Sequence, residues 1–175
     1  MNKRDLSVSM ERANLGTLFI SLPVVIFQFF LFAYFHPNAD QSITWNYFLF
    51  FLVVIAGIVI HELVHGVTWA LAAGKPWSLI SFGFQTRTLT PYCHVKEPIK
   101  INPYRIGAIM PGIVVGILPF AYSLFTGDPN WFWFSLIHTS GAGGDWLVLW
   151  LIRTVQANAL VEDHPTQAGC YVIEE

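Results

Sequence analysis

Residues 45–73 read WNYFLFFLVVIAGIVIHELVHGVTWALAA, an almost unbroken apolar run. A helix of roughly 20 apolar residues crosses the hydrocarbon core of a bilayer, so this stretch predicts a transmembrane helix. The run also carries His61, Glu62 and His65. Ionisable side chains inside a span are costly and mark functional positions by default. The same stretch therefore predicts both the class of protein and the place of its chemistry.

The composition of the whole chain agrees with a membrane location. Of its 175 residues, 54% are hydrophobic and 11% are charged, whereas a soluble domain has about 25% charged residues. The length indicates a single domain over residues 1–175. A net charge of -2 without a run of Lys or Arg excludes a nucleic-acid partner.

Three further apolar stretches are long enough to span the bilayer. The sequence therefore predicts an all-α polytopic membrane protein with four transmembrane helices in contact with lipid. Pro111 and Pro119 fall inside the third of these stretches and are expected to kink it. The predicted spans cover residues 15–35, 45–73, 104–125 and 131–151.

The positive charges fall on one side of this arrangement. The loops around Asp40 and Asp128 contain no Lys or Arg. The positive-inside rule then places both termini, including a tail over residues 154–175, in the cytoplasm of a multi-pass cytoplasmic-membrane protein. All nine basic residues lie before the first span, between the second span and the first turn of the third, or after the fourth: Lys3, Arg4, Arg12, Lys75, Arg87, Lys96, Lys100, Arg105 and Arg153.

The segment between the second and third spans predicts a β-hairpin. Residues 77–96 read WSLISFGFQTRTLTPYCHVK, in which residues 78–85 and 88–95 form candidate strands around a turn near Thr86 and Arg87. One interpretation is a hairpin on the cytoplasmic surface. The other is a membrane-associated hairpin beside the active site, whose free edge holds an extended substrate by strand addition.

The pattern His61-Glu62-Leu63-Val64-His65 predicts a zinc site. Positions i and i+4 lie on one face of a helix, so both imidazoles can bind one Zn²⁺. Glu62 lies beside them, where it can take a proton from water as the general base of a metalloprotease. A polar cluster that only holds helices together is the structural alternative.

A catalytic zinc usually has three protein ligands and one open position. Asp145 is the candidate third ligand, because His61 lies sixteen residues after Trp45 and Asp145 fourteen after Trp131. At about 1.5 Å per residue, the two side chains have nearly equal depth. The small residues 141–144 allow close helix approach. The alternative is a carboxylate that only packs helices.

The remaining histidines and cysteines are weaker candidates. His138 shares the helix face of Asp145 and is either a hydrogen-bond donor beside the site or a contact between helices. Cys93 and His94 end the predicted hairpin and either line the site or have a structural role. His36 and His164 are expected to be solvated. Both thiols are expected to be reduced, and residues 170–173 to form a short strand.

The chain resembles the site-2 protease class of intramembrane zinc metalloproteases. It is most similar to a small bacterial family of zincin peptidases classed as a domain of unknown function. The resemblance rests on His61–His65, on Cys93-His94-Val95-Lys96-Glu97-Pro98, and on Gly144-Asp145. It implies zinc bound by His61, His65 and Asp145, with Glu62 as catalytic base. Better-characterised site-2 proteases have Asn-Pro before Asp-Gly at the third ligand, where this chain has Gly143-Gly144-Asp145-Trp146.

Three functions compete on the sequence alone. The first is zinc-dependent cleavage of a membrane protein or peptide substrate within or beside the bilayer. The second is a catalytically inactive, metal-binding membrane scaffold or partner subunit, and the third is a small transporter. The lack of an internal repeat argues against transport. Four helices give a hydrated zinc little shelter from lipid, which favours a homodimer or a partner subunit.

Overall fold

A computed structural model describes residues 2–174, and helices make up most of them. This part of the chain contains six α-helices and six strands, with a π-helical segment between α3 and α4. The elements are β1 (Asn2–Val8), α1 (Met10–Phe35), α2 (Tyr47–Ala72), β2 (Ile80–Gln85), β3 (Thr90–Val95), β4 (Ile99–Lys100), α3 (Ile101–Pro111), the π segment (Gly112–Ile117), α4 (Leu118–Thr126), α5 (Pro129–Gly141), α6 (Gly143–Leu151), β5 (Leu160–Asp163) and β6 (Ala168–Glu174).

Three helical runs within residues 2–174 are long and apolar enough to cross a membrane: α1, α2 and the run Ile101–Thr126. The third contains the π segment, where the amide of Leu118 bonds the carbonyl of Ile113, five residues back. Pro119 explains this local widening, because it has no amide hydrogen for a regular i→i−4 bond. The kink expected near Pro111 and Pro119 is thus a π-bulge.

The fourth predicted span, residues 131–151, is not one helix. It is divided into α5 and α6, and the single residue between them, Ala142, lies outside both. Gly141, Gly143 and Gly144 surround it, and glycine has a low helix propensity. Neither half is long enough alone to cross a bilayer. Three continuous helical runs are therefore long and apolar enough to cross a membrane, and the predicted count of four is not confirmed.

α5 and α6 nevertheless follow one path, antiparallel to α1. Phe132 stacks on Phe32 at one end with ring centroids 4.1 Å apart. At the other end, a Cβ on Gly143 would lie 2.5 Å from the carbonyl oxygen of Thr17. The glycines therefore allow the close helix approach that the sequence predicted.

The all-α prediction is wrong beyond the membrane helices, because the chain ends form a four-stranded sheet in the order β1-β6-β5-β4. β1 pairs antiparallel with β6, so that Leu6 lies opposite Cys170. The expected strand at residues 170–173 is therefore part of β6. Gly169 in that strand has φ +128, and a Cβ there would lie 2.3 Å from the Leu6 carbonyl oxygen. Only glycine fits this close contact.

The hairpin predicted in residues 77–96 is confirmed as β2 and β3, which pair antiparallel. Its first strand begins two residues later than expected, because residues 77–79 form a 3₁₀ turn after Pro76. The hairpin packs on α2 at Gly66, where a Cβ would lie 2.8 Å from the ring of Phe82. A buried core joins the hairpin, α2, α3 and the sheet, and it includes Trp69, Ile80, Cys93, Val95, Ile101, Tyr104, Ile152, Val161 and Cys170.

Candidate metal centre

The side chains of His61, His65 and Asp145 meet where α2 faces the start of α6. His61 Nε2 lies 3.0 Å from Asp145 Oδ2, and His65 Nε2 lies 3.2 Å from Asp145 Oδ1. One ligand atom from each residue lies within 4.8 Å of the others. The structure thus brings together the three residues that the sequence named as candidate ligands.

Local helix geometry explains this convergence. His61 and His65 are one turn apart on α2, and their rings are 5.0 Å apart. Asp145 lies in the first turn of α6, directly after the break at Ala142. Close contact of Gly143 with α1 sets the position of that turn. α2 and the first turn of α6 together bring the three polar side chains to one place.

The donor set fits a zinc ion. Two imidazoles and a carboxylate are common ligands of catalytic zinc, with bonds of about 2.0–2.2 Å. Tetrahedral bonds of that length separate neighbouring ligand atoms by roughly 3.3–3.5 Å. The separations of 3.0 Å and 3.2 Å at Asp145 are close to this spacing. Each histidine contacts a different oxygen of Asp145, and one ligand atom from each residue lies within 4.8 Å of the others, so adjustment of the side chains can bring all three onto one metal ion.

A hydrogen bond and a ring stack orient the imidazole of His65. Its Nδ1–H donates to the carbonyl of Gly107 at 2.9 Å, which leaves the Nε2 lone pair for a metal. The ring stacks on Trp69 at 5.1 Å, and Trp69 stacks on Tyr104 at 5.5 Å. A Cβ on Gly107 would lie 2.0 Å from Trp69 Nε1, so this arrangement requires glycine.

Glu62 and the three candidate ligands line a cavity of about 350 Å³. None of the side-chain hydrogen bonds in residues 2–174 involves Glu62, so its carboxylate is free to act in the cavity. The walls come from α1, α2, β3, α3, the α5–α6 junction and the β5–β6 region. They include Met10, Thr17, Trp69, Thr90, Pro91, Tyr92, Cys93, His94, Tyr104, Gly144, Asp163 and Gln167.

Two of the weaker candidates, Cys93 and His94, line the same cavity. Burial raises the pKa of the Cys93 thiol above its usual range, which keeps it protonated and a poor metal ligand. His138 is not among the residues that line the cavity; it is 4% exposed and packs on Phe134. Its surroundings are those of a contact between helices.

The two histidines expected to be solvated are not. His164 is buried, and its Nδ1 accepts hydrogen bonds from the amides of Thr166 and Gln167. His36 is half-buried, and its Nε2 lies 2.9 Å from the carbonyl of Leu124. Both rings satisfy nearby backbone groups, which position along the chain alone does not reveal.

Sequence reasoning missed the residues that support the site. Trp69 is four residues after His65, on the same face of α2, so helical periodicity was a usable signal. Nothing in the sequence connected Gly107, Tyr104 or Asp163 with the cavity. Their roles depend on tertiary contacts between α3, β5 and the hairpin.

Comparison with known proteins places the chain in a protein family. A family model described as "Putative zincin peptidase" matches residues 54–160, more than half of the chain. The chain belongs to this family. The matched segment contains His61, Glu62, His65 and Asp145.

One curated relative is similar over part of its length. It is the "Uncharacterized 24.7 kDa protein in gap 5'region" of Pyrococcus woesei, 28% identical over 118 residues. The alignment covers 66% of this chain and 51% of that protein, so the chain spans about half the length of its relative. No solved structure matches the chain.

Proposed function

We propose that this protein is an intramembrane zinc metallopeptidase of the HExxH type. His61, His65 and Asp145 bind the metal, and Glu62 is the general base. The observation that carries the proposal is the convergence of three ligand atoms at a cavity that Glu62 also lines. The resemblance to site-2 proteases supports the same assignment.

When bound, zinc lowers the pKa of water to about 7 and polarises the carbonyl of the scissile peptide bond. Glu62 takes the proton from the attacking water and passes it to the leaving amine. Its place one residue after His61, with no side-chain hydrogen bond among residues 2–174, suits this transfer. The Gly107 carbonyl keeps His65 in the tautomer that binds metal.

The substrate in this proposal is an extended segment of a membrane protein or peptide. β3 lines the cavity from Thr90 to His94, and it is an edge strand of the hairpin. A peptide can add to such an edge through backbone hydrogen bonds. The beginning of α1 forms the facing wall, and Glu11 on α1 contacts Arg87 of the hairpin turn at 3.3 Å.

The proposed location is the cytoplasmic membrane, with both chain ends in the cytoplasm. α5 and α6 together serve as the fourth span, because they run alongside α2 from Trp131 to Asp145. β1, the hairpin turn and the end of α6 carry basic residues at one end of the helices. The metal centre then lies nearer the cytoplasmic face than the outer face.

Metal analysis and cleavage of a labelled peptide with an extended apolar segment test this function. Wild-type protein in detergent should bind about one zinc per chain and cleave the peptide. Glu62→Gln should keep the zinc and lower cleavage by roughly 10²–10⁴-fold, the usual contribution of a general base. Glu97→Gln is the matched control, because Glu97 is an exposed carboxylate paired with Lys75.

Cleavage retained in Glu62→Gln would refute the proposed mechanism. Bound zinc without cleavage in the wild type would favour the scaffold or partner-subunit function. In that case neither Glu62→Gln nor Glu97→Gln should change the zinc content or any cellular effect of the protein. An unchanged metal content in His61→Ala would contradict both functions.

A further inference from the structure

Asp163 is a third carboxylate at the cavity, beside Glu62 and Asp145, and the metal chemistry does not use it. It ends β5 in the C-terminal sheet, outside the segment 54–160 that defines the family. Its Oδ2 accepts the backbone N–H of Val95 at 2.8 Å. Its Oδ1 accepts the hydroxyl of Tyr104, also at 2.8 Å. One side chain of the sheet thus contacts both the hairpin and α3.

The bond to Val95 falls on the outer edge of β3. The amide of Lys96 bonds the carbonyl of Leu79, on the β2 side. Backbone groups alternate between the two sides of an antiparallel strand, so Val95, Cys93 and Pro91 direct theirs away from β2. Pro91 has no backbone N–H, and the N–H of Val95 already donates to Asp163. Within residues 2–174, Cys93 then keeps both its backbone donor and its backbone acceptor open on this edge.

The edge at Cys93 belongs to the site. Cys93 lines the cavity together with Glu62, and the Glu62 charge acts on its thiol. A peptide that pairs with Cys93 therefore passes beside the proposed general base. If the peptide shifted by two residues and paired with Val95 instead of Cys93, it would collide with the Asp163 side chain.

The hydrogen bond from Tyr104 connects Asp163 to the candidate ligand His65 through a series of packed rings. Tyr104 stacks on Trp69, and Trp69 stacks on His65. The Trp69 Nε1–H also donates to the carbonyl of Tyr104 at 3.1 Å. Asp163 thus fixes the outer end of a continuous row of rings that ends at a candidate ligand.

We propose that Asp163 is a positioning residue that fixes the substrate-binding edge of β3, so that an extended peptide pairs with Cys93 in one register. This inference rests on the proposed peptidase function for its substrate. It assigns the C-terminal sheet a part in the site, because that sheet carries Asp163. The anchoring itself depends only on contacts within the chain.

Peptide binding to full-length Glu62→Gln protein loaded with zinc tests the register without turnover. The probe is a fluorescent peptide of alternating Val and Thr, with a series of single N-methylated analogues. Loss of one backbone hydrogen bond should weaken binding about tenfold. One position, opposite Cys93, should be the most sensitive. Asp163→Ala in the Glu62→Gln background should weaken peptide binding. It should also make binding sensitive to N-methylation at a second position, two residues from the first, because the freed Val95 edge permits a second register.

Amide hydrogen exchange gives a readout that does not depend on substrate. Asp163→Ala should accelerate exchange in residues 90–95 at least about tenfold and leave α1 and α2 unchanged. Asp163→Asn should restore slow exchange, because an amide can accept from Val95 and donate to the Tyr104 oxygen. Glu162→Ala is the matched control, since Glu162 is the neighbouring carboxylate and pairs with Lys3.

The inference fails if Asp163→Ala matches Glu162→Ala in both exchange and peptide binding. It also fails if Asp163→Ala accelerates exchange throughout the chain, since that shows a general structural role. If wild-type protein cleaves no peptide but the local exchange and register effects appear, the peptidase proposal falls while the role of Asp163 stands.

Discussion

Two polar clusters join α2 to the helices α5 and α6, and they differ in how fully their groups are bonded. At the outer end, Asn130 Oδ1 accepts the amides of Thr44 and Trp45 at 2.9 Å and 3.0 Å. Its Nδ2 donates to Thr44 Oγ1 and Asp128 Oδ1 at 2.7 Å and 2.9 Å. At the inner end, Asp145 contacts His61 and His65, while Glu62 has no side-chain partner among residues 2–174.

This difference in bonding indicates a structural role for the Asn130 cluster and a chemical role for the Asp145 cluster. Asn130 uses both oxygen lone pairs and both N–H donors, so nothing remains for a ligand. The inner cluster concentrates groups that bind metal beside a cavity and leaves a carboxylate free. Burying an ionisable group without a partner in a membrane span costs free energy, so such a group marks a functional site by default. The outer cluster should therefore control stability, and the inner one metal binding and activity.

Asp145→Ala tests the inner cluster and should have the largest effect. It removes one of three ligands, so zinc affinity should fall by more than the 10–100-fold typical of losing a ligand's hydrogen-bond partner. Metal analysis after dialysis and peptide cleavage measure the result. The helices should remain folded by circular dichroism. Zinc bound with unchanged affinity would show that Asp145 only packs helices.

Asn130→Ala tests the outer cluster. It removes the four hydrogen bonds that the Asn130 side chain makes to Thr44, Trp45 and Asp128, and each such bond contributes about 0.5–1.5 kcal/mol. The free energy of unfolding should fall by about 2–4 kcal/mol, measured by denaturant titration in detergent. Zinc content at saturating metal should not change. A loss of zinc from the folded variant would contradict the separation of the two clusters.

Gly107→Ala should sharpen the comparison by disturbing the inner cluster from outside its ligands. The new Cβ would displace Trp69, which packs on His65. Zinc affinity should fall about 10–100-fold, the range for a disturbed ligand partner. Gly141→Ala is the matched control, because a Cβ there has no neighbour within 4 Å. Equal zinc affinities in the two variants would show that the Trp69 contact does not orient His65.

The inner cluster was accessible from the sequence because its geometry is mostly local. The i, i+4 spacing placed His61 and His65 on one face, and counting from Trp45 and Trp131 matched Asp145 to them. The structure has both tryptophans in contact, with ring centroids 5.7 Å apart, so the matching began from the right place. Hydrophobic length predicted four spans, and three of them coincide with helices long enough to cross a bilayer, because bilayer thickness fixes the length of a helix.

What the sequence did not reveal depends on contacts between distant segments. The β1–β6 pairing joins the two ends of the chain, and no periodicity in either strand specifies that partner. The break at Ala142 follows from glycines that were interpreted only as allowing close packing. Asp163 resembled any exposed carboxylate of a polar tail. Its contacts with Val95 and Tyr104 exist only once the sheet, the hairpin and α3 have assembled.

His138 lies between the two clusters, so a substitution there should have the smallest effect on zinc. It is seven residues before Asp145, or about 10 Å along a helix. Its ring packs against Phe134 and the backbone of Gly57, and both Asp145 oxygens already contact His61 and His65. His138→Gln should therefore change zinc affinity less than tenfold, below the range for a ligand's hydrogen-bond partner. A competition titration with a chelator measures this directly, and a larger loss would extend the inner cluster to His138.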